Sequence, residues 1–528
     1  MAVCISAATS ASGTGDDAGE SIYRRGMLPN GVQIVAARPG ARPMQGAAGA
    51  CVKCHRRSGM GTSEGANIAP PIIWEYLVQP RDQNTLGPGM SIAPGYLVSR
   101  APFDDASLAR AIREGILPGG GKLGYLMPRY RIDDAAMAAL IRYLKALGAV
   151  TPPGVTDEAV HFATIVTPEA DAGASAAMLG VLEHYFAAPP PYAGGPRLMQ
   201  HPHRMVGYRT GQRNWVLHVW SLKGPPAAWR AQLEEKLAAE PVFAVIAGMA
   251  GRHWEPVHRF CEREKLPCLL PNVDVPVADE TGFYSVYFSR GVLLEADLAA
   301  RWLKANATRS GVQRVVQIYR RDDVGAQAAG EARAALRKLG VPVLERPLDD
   351  RPAAWREALA LTSRGDGLVL WIRRNELALL PSQPPAASAI VMSGRMAGLE
   401  EAPLDEAWRA HTRMTFTYDL PARSEARMAP VRAWLASQNL AGHERVAVDT
   451  YLACNALAEM LGQLLGTWSR DLLIERTEDM LGESINTAQY PRLGLAPGQR
   501  FASKGGYVVR FAAENGSDLV PEGDWTAP

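Results

Sequence analysis

Five residues, Cys51-Val52-Lys53-Cys54-His55, constrain this chain more than any other stretch. Two thiols two residues apart, followed at once by an imidazole, form a CxxCH pattern. At this spacing the thiols can form thioether bonds to the two vinyl groups of one haem while the imidazole reaches the iron. A zinc site would want a second pair of ligands, and no second CxxC occurs. A thioredoxin-type redox pair would open a helix directly after a strand, whereas Gly49-Ala50 puts this motif in a loop-like setting. The downstream sequence decides between these readings. Leu126-Met127-Pro128-Arg129-Tyr130 sets a thioether on a glycine-rich loop, and methionine opposite histidine is the ligation of an electron carrier. Met127 is therefore the expected sixth ligand. Met90 and Met60, also on glycine-rich loops, are rival ligands, and Met137 lies on an apolar helix face.

The rest of the composition narrows the class. A chain of 528 residues is too long for one core, so two or three globular units are expected. Its net charge of +2 excludes the concentrated basic charge of a nucleic-acid binder. No stretch approaches the roughly 18 consecutive apolar residues of a membrane span. Six cysteines are too few for a disulfide scaffold. Cys261 and Cys268 are close enough in sequence to bridge across a helix-to-strand turn, and Cys454 sits in an apolar helical run. Residues 1–19 read as a disordered tail or the remnant of an export signal.

Two grammars follow one another along the chain. Helices are expected near Glu20–Arg25, over Ala106–Glu114 and over Asp133–Leu147, the last with Met137, Leu140, Ile141, Leu144 and Leu147 at helical spacing. Residues 149–157, with Pro152-Pro153-Gly154, form a linker. Beyond it, buried-strand runs alternate with amphipathic helices: Phe162–Val166, Trp215–Trp220, Val242–Ile246, Val315–Tyr319, Gly367–Trp371 and Ala389–Met392. This alternation calls for parallel sheets covered by helices.

Residues 20–148 resemble the class I cytochromes c that accompany periplasmic dehydrogenases. The resemblance rests on CVKCHRRSGMG (Cys51–Gly61), APPI (Ala69–Ile72), LARAIREGILPGG (Leu108–Gly120), LMPRY and a terminal helix ending in IRYLKAL. It implies an all-α domain holding one covalent haem c, with Cys51 and Cys54 as thioether anchors and His55 and Met127 as axial ligands of the iron. The insert Leu28–Gln45 departs from the family pattern.

Residues 158–528 resemble the type I periplasmic binding proteins, which include branched-chain amino-acid receptors. The tracts are PVFAVIAGMAGRHWEPVHRFCEREKLPCLLP (Pro241–Pro271), FYSVYFSRGVLLEADLAARWL (Phe283–Leu303) and VVQIYRRDDVGAQAAGEARAALRKLGVPV (Val315–Val343). The resemblance implies two α/β lobes closing over a ligand, with the Arg432–Thr467 helices and the Tyr507–Phe511 strand mostly in the first lobe. The loop Ala247–Trp254 lacks the hydroxyls that amino-acid receptors offer there, which argues against ordinary amino-acid binding. Ligands of such sheets bind beyond the carboxyl ends of strands. Arg252, Trp254, Arg320, Trp371, Arg373 and Arg395 stand at those ends and suit a small organic anion.

The two resemblances together imply a periplasmic electron carrier coupled to a ligand-binding module. Its partners would be a redox protein such as a periplasmic dehydrogenase and a small organic ligand, with no nucleic acid. One alternative is an ABC-transporter-type solute receptor with an accessory haem. Another is an electron carrier whose second module is an empty scaffold. A catalyst such as a peroxidase is disfavoured, because no second CxxCH and no catalytic constellation occur.

Overall fold

The structure is a computed structural model and describes residues 16–64, 67–80, 99–187, 213–277, 281–398, 404–440, 442–464, 466–482, 487, 489–512 and 518–528. Met90 and Cys4 lie outside these residues. The chain divides into two compact units.

The first unit is built on two helices that cross closely. Asp16–Arg25 packs on Asp134–Ala146, and a Cβ on Gly19 would come within 2.3 Å of the Ala139 carbonyl oxygen, so only glycine permits the approach. Tyr23 and Tyr143 meet there with ring centroids 5.2 Å apart. Asp133 caps the second helix by accepting the Ala136 N–H. The intervening helix Asp105–Glu114 starts with an Asp104–Ser107 capping box and ends on left-handed Gly115. Ile22, Leu108, Ile112, Met137, Leu140, Ile141 and Leu144 fill one core among them.

Two features correct the expected all-α, contiguous domain. The insert is not a bare loop. Val35–Ala37 pairs antiparallel with both Met44–Gln45 and Arg129–Arg131, and a hairpin joins Thr62–Glu64 to Asn67–Ala69. Ile34 and Ala36 are buried, so the insert contributes apolar side chains to the core and its backbone to a sheet. The second feature is that Leu461–Arg476, far along the chain, belongs to this unit. Arg24 donates to Asp471 at 2.9 Å.

The second unit has two sheets. The first lobe is a parallel sheet in the order Ser285–Val286, Cys268–Leu269, Ala244–Ile246, Ala159–Val166, Asn214–Ser221. In the second, Val343–Leu348, Arg314–Arg320, Asp366–Trp371, Ala389–Ser393 and Thr412–Phe416 run parallel. The expected strand Tyr507–Phe511 forms, but in the second lobe, antiparallel to Thr412–Phe416, with Leu519–Pro521 outside it. An antiparallel partner needs no crossover helix, so the chain can close the sheet edge with this late segment. The helix Glu444–Gly462 does go to the first lobe, where Tyr451 meets Tyr185 at 5.8 Å. Cys261 and Cys268 are both buried in the first-lobe core and are not joined by a disulfide, and Cys454 is a buried free thiol as expected. No helix among the described residues is long and apolar enough to cross a membrane.

Candidate functional site

Two sites emerge, one in each unit. In the first, the motif forms a single helical turn, Val52–His55. Cys54 is exposed and Cys51 half-buried, and both are free thiols. His55 is buried, and its Nδ1 lies 3.0 Å from the Pro70 carbonyl oxygen. That bond fixes the ring and commits Nδ1, leaving Nε2 without a protein partner among the described residues. Burial lowers the His55 pKa against the opposing Pro70 bond, which keeps the imidazole neutral as a metal ligand must be.

Gly61 is the reason Pro70 reaches His55. A Cβ there would stand 1.9 Å from the Ala69 oxygen, and its φ is +74°. Met127 packs on the same core cluster as Cys51, and Arg129 holds its loop by donating to the Met127 and Leu123 carbonyls. Met60, the rival ligand within the described residues, is buried. Two free thiols, a neutral imidazole with one nitrogen uncommitted and a thioether on the same core fit the requirements of a c-type haem. The residue after the motif, Arg56, has φ 61° and ψ 178°, a conformation that costs a non-glycine residue about 1–3 kcal/mol.

The second site lies where the two lobes of the second unit meet. Asp274, in the first-lobe segment after Cys268–Leu269, accepts from Arg395 Nε at 2.8 Å and Arg373 Nη1 at 3.1 Å. Both arginines follow strands of the second lobe. Burial opposes the charge on Asp274, but Arg395, Arg373 and Arg445 outweigh it and hold the carboxyl well below its ordinary range. Arg395 also donates to Tyr418 Oη and the Val273 carbonyl, each at 3.1 Å. Arg373 grips Asp323 in two places, both at 2.8 Å.

Beside them Asp449 is buried. It accepts from Tyr490 Oη and Gln489 Nε2, each at 3.0 Å, and its carboxyl is pushed up to about 6 by burial against Arg445 and Arg395. Asn272, Arg395, Asp449 and Tyr490 line a void of about 10 Å³, room for one water.

The six residues expected to line one cleft divide differently. Arg373 and Arg395 do come together, but their charge is met by the chain's own carboxylates. Arg320 lies elsewhere, donating to Glu376 at 2.6 Å beside Trp355, and Arg252 is on the surface with Asp322 at 3.4 Å. Trp371 is in the second-lobe core, its indole bonded to Gln317 at 2.9 Å. Trp254 is in the first-lobe core, its ring packed where a Cβ on Gly248 would stand, 2.6 Å from Cη2. That packing accounts for the loop without hydroxyls: Gly248 makes room for an indole.

A further residue of this cluster, not among those expected from sequence, is Arg445 in the first turn of the Glu444–Gly462 helix. Its Nη1 is buried with no hydrogen-bond partner among the described residues, and its Nη2 lies 4.0 Å from Asp274 Oδ1. Asn272 Oδ1 is likewise buried and without a partner among the described residues, while its Nδ2 donates to Thr450. Nothing in periodicity singles out either residue.

No protein-family model matches the chain, and no curated protein matches its sequence. Solved structures do resemble it. A fatty acid ABC transporter substrate-binding protein from Thermomonospora curvata is 14% identical with a TM-score of 0.50, covering 72% of this chain and 95% of that one. A leucine binding protein from Thermotoga maritima gives 13% and 0.50, covering 70% and 99%. A solute binding protein of an ABC transporter from Rhodopseudomonas palustris BisB5, in complex with 3,4-dihydroxy benzoic acid, gives 13% and 0.51, covering 70% and 97%. These likenesses establish the fold of the second unit as that of the two-lobed type I periplasmic binding proteins.

Proposed function

We propose that the chain is a solute receptor of the ABC-transporter type whose inter-lobe site takes a small organic acid bearing a hydrogen-bond donor, and that its first unit carries one covalent haem c. The observation that carries the receptor reading is the pair of unmet polar atoms at the lobe junction. Arg445 Nη1 is a buried cationic donor, and Asn272 Oδ1 is a buried acceptor. Groups of this kind are costly to leave unpaired, so a ligand supplying a carboxylate and a hydroxyl or amine would satisfy both. The cluster also explains why the other arginines are not free to do this: Asp274 and Asp323 occupy them. The test is calorimetric titration of the full chain with carboxylic acids, hydroxy acids, amino acids and neutral amides. Arg445→Ala should weaken binding of an acid about tenfold or more, as loss of a buried charge-assisted bond does. Binding of neutral compounds alone, or an unaffected Arg445→Ala, would reject the reading.

The haem reading is supported by His55, whose Nδ1 is committed to Pro70 and whose Nε2 is not. When bound, the group supplies reversible one-electron transfer. Cys51 and Cys54 would anchor it, and His55 and Met127 would be its axial ligands. Electron exchange with a redox partner such as a periplasmic dehydrogenase is the role this ligation suits, and periplasmic export goes with it. Protein matured in an export-competent host should keep one haem per chain after denaturation, and release of the haem to organic solvent would refute the attachment.

A further inference from the structure

Glu475 is a buried acid in the helix Arg470–Met480, more than four hundred positions from the CxxCH motif in sequence and in the same compact unit. Its carboxylate takes three hydrogen bonds from the two residues beyond Arg56. Oε1 accepts the Arg57 N–H at 2.6 Å and the Ser58 N–H at 2.9 Å, and Oε2 accepts the Ser58 hydroxyl. The backbone of the same residue accepts from the Arg56 side chain at 3.3 Å. Ser58 Oγ in turn accepts the Met60 N–H at 3.1 Å, and the Gly61 N–H closes onto the His55 carbonyl at 3.1 Å. The turn that leaves His55 is thus tied through the N–H groups of Arg56, Arg57, Ser58, Met60 and Gly61, and through the Gly59 carbonyl, which accepts the Ile72 N–H at 2.7 Å.

This turn contains the strained Arg56. A backbone at φ 61° and ψ 178° persists in a non-glycine residue only where its surroundings over-determine it. Here the restraints are the Glu475 carboxylate ahead of it and the Tyr23 hydroxyl, which donates to the Arg56 carbonyl at 2.7 Å. Together they direct two successive N–H groups to one acid.

We propose that Glu475 is a positioning residue for the haem site: it clamps the Arg56–Ser58 turn and thereby fixes the bearing of His55. The inference rests on the haem reading of the first unit. It also implies that residues 20–148 alone lack a part of their own site, which the C-terminal helix supplies.

The experiment uses the full chain and two readouts. Hydrogen exchange followed by mass spectrometry over the peptide containing Arg57 and Ser58 reads the clamp without reference to the haem. The midpoint potential and the visible spectrum read its effect on ligation. In Glu475→Ala, exchange at these amides should speed about tenfold or more, since a carboxylate acceptor is lost to both. The potential should shift with it. Glu475→Gln keeps one acceptor oxygen and should retain most of the protection. Adding Arg56→Gly to Glu475→Ala should restore the spectrum in part, because glycine holds this backbone without restraint. Unchanged exchange in Glu475→Ala overturns the clamp. Faster exchange with an unaltered spectrum and potential overturns the positioning role. Wild-type chain that loses its haem on denaturation refutes the haem reading itself, and the exchange result is then read separately.

Discussion

Four carboxyls in this chain fall into two groups with opposite consequences for stability. Glu295 is fully buried and accepts from the Ser393 hydroxyl and the Arg395 N–H. Burial nevertheless pushes its carboxyl up to about 7 from an ordinary 4.5. The folded state therefore binds more protons than the unfolded chain through that window, and stability falls as pH rises from about 4.5 to about 7. Asp449, raised to about 6, and Glu475, raised to about 7, act in the same direction. Asp274 acts in the other: its depressed value gives stability that is present above the ordinary 3.8 and is lost as pH falls below it. Glu295→Gln should remove part of the alkaline loss and stabilise the fold at pH 8 by on the order of 1–3 kcal/mol. Urea unfolding of variant and wild type at pH 5 and pH 8 checks this, and an equal effect at both values would contradict it. None of this was legible beforehand. An acid in an amphipathic helix reads as surface until tertiary contacts bury it, and Glu295 lies within a run whose apolar neighbours alone gave the helix away.

At the level of elements, the alternating second half was legible because a buried parallel strand advertises itself as an uninterrupted β-branched run. All six strands expected there form within a few residues of their expected bounds. What periodicity does not carry is the partner of a late strand. Tyr507–Phe511 was recognisable as a strand, and its pairing with Thr412–Phe416 was not, since pairing depends on chain path. In the first unit the hairpin of Thr62–Glu64 and Asn67–Ala69 has a consequence for the motif. Its ends approach so closely at Gly61 that no side chain fits, and this approach carries Pro70 to His55. Gly61→Ala should therefore force the hairpin apart and free the imidazole to rotate. We expect a clear drop in the fraction of chains that mature with haem, and in those that do, a broadened Soret band. Maturation at the wild-type level would show that the hairpin has slack.

On the scale of the molecule, the two units are not two consecutive stretches of sequence. The helix that ends the long excursion through the second fold supplies Asp471 and Glu475 to the first unit, so cutting the gene at the linker would remove contacts made by Arg24, Arg57 and Ser58. The candidate site in the second unit was legible as a location, the carboxyl ends of strands, but not as a set of side chains. Arginines are visible in sequence, whereas the acids that neutralise them come from other loops, Asp274 from 99 positions away from Arg373. The void beside Arg395 and Asn272, about the size of one water, bears on how fast a ligand could arrive. A molecule larger than that needs the lobes to part, and the ion pairs of Asp274 with Arg373 and Arg395 join them, so encounter is not the slow event. In stopped-flow mixing, the observed rate should rise with ligand concentration and then level off at a ceiling set by the protein alone. Asp274→Asn, which weakens both ion pairs, should lift that ceiling about tenfold while leaving the low-concentration slope less affected. A rate that climbs linearly to the highest concentration would mean the lobes already stand apart in solution, and that the ion pairs time nothing.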